Sequence, residues 1–494
     1  MGTPSAYPSP FALADQSGQV ADKLPPATPV YILRGHASSI HALRFYSRNS
    51  RLISGDADGW IVVWDMSTKR AVASWKAHGS AVLGLQGVVV NSEQDEAGQG
   101  QEGGNERWVF THGRDHKFRV WRLNLADEES LSKELPVDES KSVHPRNEPW
   151  MLHSLPVNAL NFCAFALCRI FPDKRLASDT KSLGCRQSAS VDCVPIEENS
   201  KPQHIFFLAV PNALNTGGID VFHLPSEKRV STISPDPSIN TGMVMAVELF
   251  RCPQGNLCLI SGYEDGRVMV HTKKSLESLE SLTINQSSFT WERIYINHPH
   301  SQPILSLSLS PPGRNEHDMF FLSSSADAII AKHPITASKS PLNVLNTKHA
   351  GQQGLRIRND GKIFATAGWD CRIRVYSCKS MKELAVLKWH KEGCYAVDFA
   401  DLANENKMND NYNANTGRKS PGYSDEPNKV DAMGPAADAP NSDTDTKPRT
   451  MALNRVTPVG SLAAIKEQRS QKAQSTHWLG AGSKDGKISL WDIY

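Results

Sequence analysis

Short runs of alternating apolar and polar residues, each bounded by turn residues, recur along this chain from about residue 29 onward. Residues 52–65, LISGDADGWIVVWD, show the unit most clearly: a small-residue run, an Asp-Gly turn, then alternating apolars ending in Trp-Asp. Residues 479–494, LGAGSKDGKISLWDIY, repeat it about 430 positions later. A period of two predicts strands rather than helix. Asp-Gly between two such runs predicts a hairpin, because Gly accepts a positive φ and Asp bonds its own backbone.

The same unit, more or less worn, can be followed through the chain. The second copy runs from His78 to Trp121, with FTHGRDHKFRVW at its end. The third carries VNALNFCAFAL, HIFFLAV and GGIDVFHL, and the fourth MVMAVELF and LCLISGYEDGRVMVH. The fifth has PILSLSLS and FFLSSSADAIIAKH, the sixth FATAGWDCRIRVY, and the seventh WHKEGCYAVDFA with the final WDIY. This frame resembles the WD repeat, whose period of about 40–45 residues supplies four strands per propeller blade. Positions equivalent to the Trp are 64, 121, 222, 271, 333, 376 and 491, which makes seven. The expected fold is therefore all-β, a seven-bladed propeller over 29–494 with a disordered tail at 1–28. The seventh copy has three strands of its own, and a strand at 29–33 precedes the first copy. Pairing 29–33 onto 487–493 would close the ring and remove two open strand edges.

The resemblance also implies a buried polar network in each well-formed blade. In blade one it would join His36, Ser54, Asp58 and Trp64, and in blade two His78, Thr111, Asp115 and Trp121. Blade six offers His349, Thr366, Asp370 and Tyr376. Blade seven offers His390, Asp485 and Trp491, with Ala481 where a hydroxyl is expected, so that set is expected to be incomplete. Ser, His and Asp together suggest a hydrolase, but the same trio at equivalent places in several blades is expected of a fold element satisfying its own buried polar groups.

Composition narrows the function classes. The 494 residues carry 54 basic and 52 acidic side chains, a net charge of +2, which gives no electrostatic case for general nucleic-acid binding. Nine cysteines without a Cys-x-x-Cys pair signal neither a zinc cluster nor a disulfide framework. No apolar stretch approaches the roughly 20 residues of a membrane span, and the first residues lack a basic start and an apolar core, so a reducing compartment is expected. Gly98-x-Gly100-x-x-Gly103 lies in an acidic linker with no strand before it and is not read as a dinucleotide loop. His298-Pro-His300 is read as a blade-entry corner rather than a metal pair. No catalytic residue, metal or cofactor is expected, nor a small-molecule substrate, and the expected partners are proteins.

The residues beyond the repeat period fall mainly at about 91–106, 173–203 and 401–475, in blades two, three and seven. Each lies between the first and second strands of its blade, so all three should emerge on one face of the disc, in one sector. Within the last, residues 459–474 hold good helix formers with Lys466, Arg469 and Lys472 at helical spacing, read either as a basic helix that contacts an acidic partner or as a solvated helical lead-in to the strand near Trp478.

PVYILRGH, LPVNALNFCAF, VPNALNTGGIDVFHLPSEKR and THWLGAGSKDGKISLWDIY, with a long insert before the last two strands, together resemble the fungal ASTRA-associated protein 1 family. The resemblance covers about 29–494 and implies a non-enzymatic subunit of the ASTRA assembly, in the nucleus with the cytoplasm as a second compartment. It further implies a link to chromatin regulation and to the maturation or stability of phosphatidylinositol-3-kinase-related kinases. A cullin-ligase substrate receptor would carry Arg two positions after Trp-Asp, where this chain has Ser67, Asn124 and Tyr494.

Overall fold

Seven antiparallel sheets of four strands each surround a central channel in the computed structural model, making a seven-bladed β-propeller. It describes residues 27–90, 106–141, 146–158, 163–170, 204–273, 290–312, 318–402 and 461–493. Most of the tail at 1–28 and of the insertions at 91–106, 173–203 and 401–475 lies outside them. Blade one shows the plan, with strands Ile40–Tyr46, Arg51–Asp56, Trp60–Asp65 and Arg70–Lys76 running from the channel to the rim. Its two central strands are almost wholly buried, because neighbouring blades cover both faces. The apolar clusters accordingly span blade pairs: Ile53, Ile61, Val63 and Trp75 of blade one pack with Val82, Val109 and Trp121 of blade two.

The seventh blade is built from both ends of the fold. Strands Cys394–Phe399, Trp478–Ser483 and Lys487–Asp492 are its inner three, and Tyr31–Arg34 is its outermost. Tyr31 stands opposite Leu490 and Arg34 opposite Lys487, with Val30 N–H donating to Leu490 O at 2.7 Å. Leu33 is buried against Ile488, Leu490 and blade one. Gly486 closes the last hairpin with φ +72, and a Cβ there would lie 2.5 Å from His36 O. Only glycine allows both that backbone and that approach.

In the connection between the third and fourth strands of blade two, the described residues 123–141 and 146–149 lie over the rim of blade one. Ser74 N–H in the outer strand of blade one donates to Ser132 O at 2.8 Å, and Val137 N–H donates to Gly35 O at 3.0 Å. Leu131 joins the core between the blades, and Leu135 packs toward Trp64. A Cβ on Gly35 would come within 2.6 Å of Leu135 Cδ2 and 2.9 Å of the Trp64 ring, so a larger residue there would have to push these side chains aside. Buried Glu128 accepts two bonds from Arg51, at 2.9 and 2.6 Å. A strap on the rim shields a row of edge N–H and C=O groups that would otherwise invite pairing with another chain.

Candidate interaction face

The polar networks come first, because they decide which polar groups are available. In blade one His36 Nδ1 donates to Asp56 at 2.7 Å, while its Nε2 accepts from Ser54 Oγ, also at 2.7 Å. Trp64 Nε1 donates to the same Ser54 oxygen at 2.9 Å. The acid is Asp56 and not Asp58: Asp56 is fully buried and also caps the hairpin, accepting from Asp58 N–H and Trp60 N–H, while Asp58 is exposed. Replacing Asp56 with Asn should cost about 2–4 kcal/mol by disrupting a buried charged hydrogen-bond set. Asp58→Asn should stay within about 0.5 kcal/mol. Urea midpoints of the two variants separate the assignments.

Blade two has His78 bonded to Asp115 and Thr111, both at 2.9 Å, with Trp121 Nε1 on Thr111 at 3.0 Å. Blade five carries a set that the repeat pattern did not reveal. There His300 meets Asp327 at 3.1 Å and Ser323 at 2.8 Å, and His333 in the Trp position donates to Ser323 at 3.0 Å. Tyr295 OH donates to the other nitrogen of His333 at 2.9 Å. His298 points elsewhere and bonds Asp265 O.

Blades six and seven depart from expectation. His349 is 43% exposed and 3.9 Å from Asp370, whose carboxylate is instead held by both terminal nitrogens of buried Arg374, at 3.1 and 2.6 Å. Thr366 and Tyr376 remain buried, the Tyr376 ring stacked on Phe364. In blade seven Ser489, on the third strand, supplies the hydroxyl that Ala481 lacks: His390 bonds it at 2.8 Å and Trp491 Nε1 at 2.9 Å. Asp485 stays 3.8 Å from His390 and takes Lys487 instead. The side chains of His36, His78, His300 and His390 are fully shielded from solvent, so no substrate reaches these trios.

Burial depresses His333 to about 3 and His390 to about 4, and lowers His78 as well. Their folded pKa lies below the unfolded 6.5, so their contribution is complete above 6.5 and is lost as pH falls from there toward 3–4. At pH 5 the unfolded chain gains about 1.5 units on His333 alone, about 2 kcal/mol. Glu248 and Asp398, raised to about 7 and about 6 chiefly by burial, act in the opposite sense. They cancel in a comparison with His333→Gln, which should lose about 2 kcal/mol of the pH 7-to-5 change in urea stability.

The channel carries two stacked rings. Six of the seven inner strands bear a bulge near their start, at His41, Leu83, Met245, Leu305, Gln353 and Tyr395, and all six residues line one compartment of about 170 Å³. A bulge re-aims the side chain of the extra residue, here toward the axis. Three positions further on, Arg44, Gln86, Glu248, Ser308, Arg356 and Asp398 line a wider compartment of about 420 Å³. Its charges answer one another: Arg356 is 3.5 Å from Glu248 and 3.8 Å from Asp398, which also accepts Phe45 N–H at 2.7 Å. The charged ring lies toward the face on which the three insertions leave the sheets.

That face is where helix α1, Leu462–Ser475, sits. Ser461 caps it, its hydroxyl accepting from Ala464 N–H at 3.1 Å, as a residue with extended backbone at this position should. The helix ends in the second strand of blade seven, where Trp478 Nε1 donates to Ala473 O at 2.9 Å. Asn49 latches it from blade one, donating to Gln474 O at 3.2 Å and exchanging two bonds with Asp401. Ala473 is buried, while Lys466, Arg469 and Lys472 are exposed. Between helix and blades lies a cleft of about 470 Å³, floored by Asp65 and Ser67 and lined by Arg48, Arg51, Arg107 and Lys466. Among the described residues no group of His, Cys, Asp and Glu has metal-binding geometry, and no helix is long and apolar enough to cross a membrane.

Fold and face together define a seven-bladed propeller of the scaffold kind, its polar trios sealed inside the blades and one face elaborated by insertions and a helix. A family model described as ASTRA-associated protein 1 matches residues 29–491, and the chain belongs to that family. It is 50% identical to the ASTRA-associated protein 1 of Aspergillus niger, over 98% of this chain and all of that one. It is 49% identical to that of Penicillium rubens, over 95% and 98% of the two chains. To that of Schizosaccharomyces pombe the identity is 31%, over 75% of this chain and 93% of its relative.

Proposed function

We propose that this protein is a non-enzymatic scaffold subunit of the ASTRA assembly, holding other protein subunits through the face that bears the insertions. The observation that carries this reading is the family match along residues 29–491, joined to a fold whose buried trios are closed to substrate. Its work is then in the nucleus, with the cytoplasm as a second compartment, serving chromatin regulation and the maturation or stability of phosphatidylinositol-3-kinase-related kinases. The elaborated sector supports it physically, since binding residues concentrate on loops that a rigid scaffold positions. Direct nucleic-acid or membrane contact is not part of this reading.

The test is affinity purification with mass spectrometry on the whole protein and on a variant lacking 404–452, with α1 retained in both. Recovery of ASTRA subunits and kinase-related proteins is expected with the whole protein. Their loss from the shortened one would place the contact on the insertion face. Recovery of cullin-ligase adaptors without them would overturn the assignment in favour of a substrate receptor.

A further inference from the structure

We propose that the cleft between helix α1 and blades one and two is a docking site for an acidic peptide segment of a partner protein. The inference rests on reading the insertion face as the partner-facing one, and adds the chemistry of what binds there.

Unanswered positive charge is the first reason. Arg48 and Lys466 stand on the cleft, and Arg469 and Lys472 follow Lys466 along the helix. Among the described residues none of these four side chains makes a hydrogen bond or an ion pair. Asp65, the acid that lines the cleft, is already engaged by the N–H and hydroxyl of Ser67 and by Thr68, and Arg51 beside it is held by Glu128. Lys69, on the same rim, stands over the Trp478 ring at 4.3 Å, close enough to Lys472 for the two ammonium groups to repel. Burial first, and Lys472 in addition, bring Lys69 down to about 8, only partly opposed by Asp65. A bound anion would relieve that repulsion.

Backbone strain points to the same spot. Ser47, Arg48 and Asn49 are three consecutive non-glycine residues with φ of 54, 50 and 61. Such a run persists only when its surroundings fix it, and Asn49, bonded to Asp401 and Gln474, does so. The turn that holds Arg48 over the cleft is thus the turn that latches the helix.

Shape and composition favour a peptide over a nucleic acid. Fourteen helical residues span about 21 Å, the length of six or seven extended residues. Leu462 and Ile465, 86% and 39% exposed, stand with Arg469 and Lys472 on the flank of the helix beside the cleft, so a segment that leaves the cleft over the helix meets apolar as well as basic groups. A duplex backbone would meet no use for those apolar groups, and the chain as a whole carries only +2.

The test uses the purified full-length chain and a fluorescein-labelled dodecapeptide of glutamates with one central leucine, followed by anisotropy at 50 and 200 mM salt. Binding that weakens with salt is expected, and a loss of at least tenfold in Arg48→Asn/Lys466→Gln/Arg469→Gln. Asparagine tolerates the left-handed turn, and if the triple variant fails to fold, Lys466→Gln/Arg469→Gln on the exposed helix is read instead. Lys117→Gln, on the opposite face, should bind unchanged. No binding by the native chain, equal binding by the variants, or stronger binding of a single-stranded oligonucleotide of the same charge would overturn the proposal. Because the isolated chain is used, a negative result leaves the ASTRA reading standing, and failed co-purification leaves a positive one standing.

Discussion

Removing residues 1–34 is expected to abolish the cooperative unfolding transition, whereas removing 1–28, which spares every described strand, should leave the melting temperature unchanged within about 2 °C. The difference is one four-residue strand. Tyr31–Arg34 covers the outer edge of Lys487–Asp492 and buries Leu33 against Ile488 and Leu490. Losing a buried leucine alone costs about 2–5 kcal/mol. The uncovered strand then adds unpaired backbone groups and an edge open to aggregation. Against a typical total of about 5–15 kcal/mol, that is enough to open the ring. Leu33→Asp should move in the same direction, and scanning calorimetry of the variants checks both. A 1–34 deletion that melts like the native protein would mean that the ring closes elsewhere.

Glu128→Ala is expected to be nearly as damaging, by about 3–5 kcal/mol, because it leaves Arg51 buried without its carboxylate. Arg51, 13% exposed at its side chain, takes both oxygens of Glu128, with Asp65 further off at 3.5 Å. Glu128→Gln, which keeps one acceptor, should cost less. Replacing Arg51 and Glu128 together by Met and Leu should cost less than Glu128→Ala, since exchanging a buried pair for apolar groups is often close to neutral. Urea midpoints of the four proteins decide it. If Glu128→Ala and the double variant are equally unstable, the strap acts through Leu131 and Leu135 rather than through charge.

The blades, their number and the closing strand were legible because each leaves a local mark: a period of two, Asp-Gly at hairpins, and a spare strand ahead of the first repeat. Helix α1 was legible at 459–474 from its formers and basic spacing, and spans Leu462–Ser475. Asp56 was missed because the other blades place the acid four residues after the hydroxyl, as Asp115 follows Thr111, while blade one places it two after Ser54. Blade five was obscured by its serine run and by histidine where tryptophan is usual; Asp327, four residues after Ser323, was the available signal. The channel rings had no signal at all, since a bulge adds one residue without disturbing alternation enough to be seen. Nor could the Arg51–Glu128 pair be found, its members being 77 positions apart. Contacts of that separation depend on the strap's path, which composition does not encode.

The outer strand of the seventh blade also has a consequence in time. Tyr31–Arg34 leaves the ribosome early, but its partner begins at Lys487, some 450 residues later. At about 5–20 residues per second the wait is roughly 20–90 s. Throughout that interval the nascent chain carries a strand with no mate and a growing arc of blades with two raw ends. The cell must therefore keep an unfinished propeller soluble for the better part of a minute, and a chaperone that recognises unpaired strands would find its substrate here before the protein is complete.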